Sequence, residues 1–215
     1  MLTQEIIDAF RKTKYGIDKG DNLWDAAVLV PLMEIDGKTH ILFEVRSQSL
    51  RRQPGEICFP GGHFEESDVE LANTAIREAT EELGITQADI QLIAPLDILV
   101  TNKGPILHPF LGQVKTRNFA LNKSEVESVF TVPLQWLLTC TPEIGYIQLA
   151  DKPREDFPFH LVPLREKNWR VDKEYPVYFY IYQDKVIWGM TARILHSFLE
   201  KYKDILRNYW RQDLI

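Results

Sequence analysis

Three glutamates, Glu78, Glu81 and Glu82, crowd into one short stretch of the segment Gly61–Ile85, GGHFEESDVELANTAIREATEELGI. A helix turns about 100° per residue, so the three carboxylates share one sector of roughly 100°. Side by side they repel one another unless positive charge lies among them. Arg77, four residues before Glu81, meets only part of that demand. A hard divalent cation, Mg²⁺ or Mn²⁺, is the natural remainder, because such ions take carboxylate and phosphate oxygen together. The plain alternative is a solvated acidic helix face, the usual use of a charge run. Gly61 and Gly62 weigh against it. Glycines allow backbone geometries closed to other residues, and a tight loop there would aim the Gly62 carbonyl at the same cation.

The elements that must hold this cluster follow from periodicity. A helix is predicted over roughly 69–83, with Ala72, Ile76, Ala79 and Leu83 as its core face and Gly84 as its C-terminal cap. Residues 24–33 and 39–46 read as a hairpin across Asp36-Gly37. A basic loop over 48–57, with Arg46, Arg51 and Arg52 around it, leads into a short strand at Cys58-Phe59. Further strands are predicted over 90–100, 106–114, 124–131, 177–182 and 186–188, with a short helix at 134–138 opened by Pro133. The charged stretch 151–174, with Pro153, Pro158 and Pro163, reads as a loop or loose hairpin suited to specificity. Terminal helices are expected at about 3–14, packed on the domain through Leu2, Ile6 and Phe10, and at about 191–206. The consistent architecture is α/β, a mixed sheet between helices in a single domain, 1–215.

Composition narrows the function classes. Apolar residues make up 45% and charged residues 26% of 215, ordinary for a globular protein. No apolar run approaches the length of a membrane span, and the first residues lack the basic and apolar regions of a secretory signal. Cys58 and Cys140 are too few for a disulfide framework and fit a reducing cytoplasm; a zinc site is equally unsupported. A net charge of −6 argues against broad nucleic-acid binding. It also requires metal ions and clustered arginines to reverse the field around an anionic substrate.

Residues 62–85 resemble the Nudix box, G-x5-E-x7-R-E-U-x-E-E-x-G-U with U apolar. Arg77 to Ile85 fits at every position, with Ala79 at the first U. Asp68 stands at the early glutamate position, and one extra residue separates it from Arg77. Just upstream, LFEVRSQSLRRQPGEICFPGG resembles the signature of the coenzyme A pyrophosphatase branch, L-L-T-x-R-[SA]-x3-R-x3-G-x3-F-P-G-G. Arg46, Ser47, Arg51, Gly55, Phe59, Pro60, Gly61 and Gly62 match; Phe43 and Glu44 replace Leu and Thr in the strand part, where packing tolerates substitution. The pieces His108-Pro109-Phe110, Glu125 to Leu134 and Trp188 to Arg193 look similar too.

The resemblance implies a Nudix α/β/α sandwich and metal-dependent hydrolysis of the diphosphate of coenzyme A and its derivatives. It implies Glu78 and Glu82 as principal metal ligands and Glu81 as a further ligand or the base, with the Gly62 carbonyl beside them. Arg77 would orient Glu81, and Arg46, Ser47 and Arg51 would bind substrate. Glu125 or Glu127 is the alternative base, set against plain sheet surface. Tyr178, Tyr180 and Tyr182 share a strand face that would stack an adenine or, more ordinarily, sit half-buried. His108 has no ligand-like partner in sequence. The partner expected is a small molecule, with a homodimer left open. Hydrolysis of ADP-ribose or NADH is the alternative activity. Against it, 99–101 lacks the proline of ADP-ribose hydrolases, and the SQPWPFPxS array of NADH hydrolases is absent. A non-catalytic Nudix-like module would have lost box glutamates, and all three are present.

If Glu78 and Glu82 hold the metal, Glu78→Gln or Glu82→Gln removes a ligand charge at constant shape. Turnover is expected to fall by about 100-fold or more while circular dichroism stays native. Retained turnover with unchanged Mg²⁺ dependence would remove both from the site.

Overall fold

The computed structural model describes residues 3–12, 17–18, 23–102, 104–163 and 169–212. In chain order the regular elements are α1 (Gln4–Lys12), β1 (Leu23–Ile35), β2 (Lys38–Arg46), β3 (Ile57–Cys58), β4 (Gly61–His63), α2 (Leu71–Leu83), β5 (Ile90–Pro95) and β6 (Leu99–Val100). Then follow β7 (Gly104–Val114), β8 (Val126–Pro133), α3 (Leu134–Thr139), β9 (Glu143–Asp151), β10 (Arg170–Tyr182), β11 (Lys185–Ile187) and α4 (Gly189–Gln212).

Strand β1 organises the rest because its side chains are apolar on both faces. Ala26 and Val30 join a core with Ile41, Phe43, Leu134 and the α4 residues Leu195 and Phe198. Ala27, Leu29 and Met33 join a second core with Leu42 and the α2 residues Ala75, Ala79 and Leu83. Successive strand residues point to opposite faces, so one alternating strand builds both layers of an α/β/α sandwich. The sheet is mixed: β1 runs antiparallel to β2 and β4 and parallel to β7. The hairpin turn falls at Asp36 and Gly37, both at positive φ (51° and 74°), as a two-residue turn matched to strand twist demands. A separate three-stranded sheet, β11-β10-β9, continues the chain towards α4.

Several expectations are corrected. The predicted strand over 90–100 divides into β5 and β6. Gly61 and Gly62 lie in strand β4, opposite Val28 and Ala27, and not in a loop. The stretch 151–174 connects two antiparallel strands, in keeping with the hairpin reading, but strand β9 itself was not anticipated. Helix α1 ends at Lys12 and buries none of its residues; Phe10 is 68% exposed and Ile6 42%. Leu2 and residues 13–14 lie outside the described residues. At the other end, α4 begins earlier and runs further than 191–206. On α2 the buried stripe is centred on Ala75 and Ala79, with Ile76 at its edge, so the helix is rotated towards its acidic side. No helix among the described residues is long and apolar enough to cross a membrane.

The extra residue of the box is absorbed just before α2. Asp68 ends a short 3₁₀ turn (Glu66–Asp68), and Val69 follows at φ 65°, ψ −45°. The Glu70 amide donates to the Asp68 carbonyl at 2.7 Å, closing a three-residue γ-turn of the rare positive-φ kind. That conformation is strained for a β-branched residue, and Val69 is 84% exposed, with little packing to lose. Val69→Gly is therefore expected to raise stability by about 1 kcal/mol. Relief of positive-φ strain, about 1–2 kcal/mol, exceeds the added chain entropy of glycine, about 0.5–1. Urea denaturation reads the sign, and a loss of stability would mean the turn is unstrained.

Candidate active site

Packing of α2 against the sheet grades the three glutamates by depth. Measured around the helix from Ala75, Glu82 lies about 20° away, Glu78 about 60° and Glu81 about 120°. Glu82 thus points at the sheet, Glu78 sits at the rim and Glu81 faces outward. Exposure follows the same order: 5% for Glu82, and 15% and 56% for the side chains of Glu78 and Glu81. Gly62 makes the approach feasible, since a Cβ there would lie 2.4 Å from the Glu78 carboxylate. Its neighbour donates the Gly61 amide to Glu82 Oε2 at 2.8 Å.

The C-terminal turn of α2 is tied down by backbone. Its last carbonyls lack partners within the helix, and the loop before β8 supplies them: Ala120 N–H donates to Leu83 O and Asn122 N–H to Glu82 O, both at 3.0 Å. Gly84 takes the left-handed cap conformation, and a Cβ there would meet the Ala120 carbonyl at 2.0 Å. The same loop carries Glu125 towards the glutamates.

Arg77 is held chiefly by Asp68, a partner not anticipated for it, and the expected ion pair with Glu81 is a longer contact. Arg77 Nε donates to Asp68 Oδ1 at 2.8 Å and one terminal nitrogen donates to Oδ2 at 3.1 Å, a two-pronged bond. That nitrogen also donates to the His63 carbonyl at 3.0 Å. The other meets Glu78 Oε1 at 3.0 Å and Glu81 Oε2 at 3.4 Å. Asp68 accepts further bonds from the Thr74 hydroxyl and the Glu65 amide. The Arg77 bonds, reinforced by these two, hold its carboxyl well below the usual aspartate range. Asp68 thereby occupies the anchoring end of a chain that fixes Arg77 against two of the glutamates.

Glu44, on β2, is the residue that sequence reasoning misread. It was taken as a tolerated packing change; the structure buries it at 1% exposure beside Glu82. Burial, then the Glu82 carboxylate, pushes the pKa of Glu44 well above the ordinary value. Burial likewise pushes Glu82 up to about 8, against the Gly61 amide and with Glu78 and Glu125 adding to it. Glu78 is also raised by burial, with Arg77 opposing. Glu44 and Glu82 lie within reach of one shared proton, yet ionised neither has a donor to offer the other, and both Glu44 oxygens are left without a hydrogen bond. A carboxylate in this position had one sequence signal: an acid inside an otherwise apolar strand run, ILFEV.

The donor set suits a hard divalent cation: carboxylate oxygen throughout, more negative charge than Arg46 and Arg77 balance, and a glycine gap beside Glu78. Among the described residues no three acidic, His or Cys side chains already converge at metal-ligand spacing, so the donors must draw together around an ion.

Other predicted residues are distributed unevenly. Arg46 acts electrostatically on both Glu44 and Glu82 and also lines a cleft of about 390 Å³, with Leu99, Leu149, Trp188 and Arg193 among its walls. Arg51 is exposed in the loop and does not line that cleft. Ser47 is 4% exposed and engaged within the loop, its hydroxyl 3.0 Å from that of Ser49 and its amide donating to Glu125 O. Glu125 acts on Glu44, Glu78 and Glu82, whereas Glu127 is exposed. The tyrosines serve packing: Tyr180 is core, Tyr178 stacks on His196 with centroids 3.8 Å apart, and Tyr182 meets Trp136 edge-on. His108 lies in β7, its Nε2 3.1 Å from Asp25 Oδ1. Burial pushes the Cys58 thiol up, which leaves it a packing group.

Asp68→Asn is expected to cost about 1–2 kcal/mol at pH 7, because the two-pronged bond to Arg77 loses its charged acceptor while Glu78 and Glu81 remain beside the guanidinium. The depressed carboxyl contributes stability above the unfolded-state value of 3.8 and loses it as pH falls through the folded value. The gap between wild type and variant should therefore be constant near neutrality and shrink below about pH 4. A gap that widened in acid would contradict the assignment.

Residues 16–151 match the NUDIX domain. The chain is 37% identical over 170 residues to the peroxisomal coenzyme A diphosphatase NUDT7 of Mus musculus, covering 78% of this chain and 66% of that protein. It is 41% identical over 122 residues to the peroxisomal coenzyme A diphosphatase ndx-8 of Caenorhabditis elegans, covering 54% and 52%. It is 30% identical over 182 residues to the uncharacterized Nudix hydrolase NudL of Photorhabdus laumondii, covering 84% and 86%. Among solved structures, a MutT/nudix family protein from Enterococcus faecalis aligns with a TM-score of 0.46 at 13% identity, over 95% of this chain and 70% of that one. With a domain match spanning most of its length and the box glutamates gathered on one helix against a mixed sheet, the chain belongs to the Nudix family, and within it resembles the coenzyme A diphosphatases.

Proposed function

We propose that the protein hydrolyses the diphosphate of coenzyme A and its derivatives, yielding 3′,5′-ADP and 4′-phosphopantetheine or its acylated form, with Mg²⁺ or Mn²⁺. The observation that carries this reading is the position of Arg46. It is the signature arginine, and it lies both on the wall of the cleft and within the field of the buried glutamates. A diphosphate bound by Arg46 would have one end against the carboxylates and its organic part in the cleft.

A bound cation would contribute charge neutralisation at the diphosphate and a water of lowered pKa. The remaining work falls to side chains. Arg46 offers its guanidinium to phosphate oxygens, a geometry suited to two-pronged contact. Glu78 and Glu82 would hold the ion. Glu81, the most exposed of the three, takes the proton of the attacking water as its oxygen bonds to phosphorus and the bridging P–O bond breaks. Glu125 is the second candidate for that proton. Arg77, fixed by Asp68, keeps Glu78 and Glu81 from drifting apart. The apolar wall formed by Leu99, Leu149 and Trp188 suits the pantetheine arm. Support for coenzyme A comes from the upstream signature and from the names of the mouse and worm relatives.

Turnover in ¹⁸O-water with Mg²⁺ tests the reading. Label is expected on one of the two phosphates derived from the diphosphate, with the 3′-phosphate intact. Inorganic phosphate or a released free acid as main product would overturn it. Faster turnover of ADP-ribose or NADH would move the substrate assignment. Arg46→Ala should raise KM for coenzyme A by about tenfold or more, with a smaller rise for Arg51→Ala. The reverse ranking would place phosphate recognition in the loop.

A further inference from the structure

Glu44 occupies a position where packing does not account for a carboxylate and where only a proton shared with Glu82 would join it to a neighbour. It is 1% exposed, and neither oxygen has a donor. Burying a charge without a partner is costly, and natural chains retain such a group where something positive meets it. Alternation along β2 fixes its direction. Leu42, two residues earlier on the same face, packs with Ala79 and Leu83 of α2, so Glu44 faces α2 as well, level with Glu82. Arg46 is next on that face, but it also lines the cleft, and its Nε is itself buried without a hydrogen bond. Arg77 approaches Glu78 and Glu81 from the other side of the helix and makes no recorded contact with Glu44. Across the strand pair, Glu44 sits opposite Cys58, whose thiol is held protonated by burial and brings no charge.

We propose that Glu44 is a ligand of the divalent cation, reaching it from strand β2 opposite Glu82 of α2. The inference rests on the Nudix cation site and is independent of which diphosphate is hydrolysed. The ion would then be clamped between sheet and helix, and a carboxylate would stand where the related signature has threonine. Two oxygens without donors become two available lone-pair sources for a hard cation. The same ion relieves the repulsion between Glu44 and Glu82, which no side chain in the described structure fully offsets.

Mn²⁺ binding to the purified full chain, read by calorimetry or by the spin resonance of free Mn²⁺ with no substrate present, tests this apart from any substrate assignment. Glu44→Gln and Glu44→Thr should each weaken Mn²⁺ binding by about tenfold or more. The metal-free melting temperature of Glu44→Gln should equal or exceed that of wild type, because Gln keeps the shape and cannot carry the charge that burial beside Glu82 penalises. Unchanged Mn²⁺ affinity in either folded variant overturns the proposal, as does wild-type protein that binds no Mn²⁺. Should both variants fail to fold, a Mn²⁺ soak of wild-type crystals decides the point. Anomalous density within about 2.0–2.6 Å of a Glu44 oxygen upholds the assignment, and an ion bound by Glu78 and Glu82 with Glu44 beyond that range refutes it.

Discussion

Glu82 leaves α2 almost in line with Ala75, so the helix cannot bury its core stripe without burying a carboxylate too. Much of the surrounding structure follows from that constraint. The sheet must offer space, which Gly62 provides beside Glu78 by having no side chain. It must also offer a donor, which the Gly61 amide provides. The helix end must not slide, and the loop before β8 pins it through two backbone hydrogen bonds. Electrostatic demand and packing demand are thereby met by the same few atoms, and neither can be altered alone.

A second layer of restraint lies outside the cluster. Arg77 would be a mobile side chain on the outer helix face, but Asp68 grips it with both oxygens and is in turn braced by Thr74 and the Glu65 amide. The strained residue Val69 sits directly beside this anchor, at the point where the chain must turn into α2. Local strain next to a well-tied functional side chain is a familiar arrangement, tolerated because the neighbouring bonds over-determine the backbone.

The sandwich and the gathering of glutamates on α2 were legible in the sequence because both rest on short-range periodicity. The unbroken apolar run of β1, the Asp36-Gly37 turn and the spacing of Ala79 and Leu83 are local signals. Strand β9 was not legible, since its residues are largely exposed on both faces and show no alternation. Glu44 was misread because its neighbour, Glu82, lies far along the chain and meets it only after β2 and α2 pack. Arg51 and Ser47 sit at matched positions, yet the loop turns one outward and engages the other internally. Spacing in a signature does not encode the direction of a side chain in an irregular loop. The N-terminal helix shows the same limit, for an amphipathic pattern does not state what covers its apolar side.

The cleft beside Arg46 is lined from two lengths of chain. Arg46, Cys58 and Leu99 come from the large sheet, within the stretch that matches the family, whereas Tyr175, Trp188 and Arg193 come from the later strands and α4. The glutamate cluster draws on the first length alone. Contour and charge are therefore carried by largely separate parts, so the far wall of the cleft, on β10 and α4, can be recut while the carboxylates keep their spacing. A chain built this way can vary what it admits without renegotiating how it holds an ion.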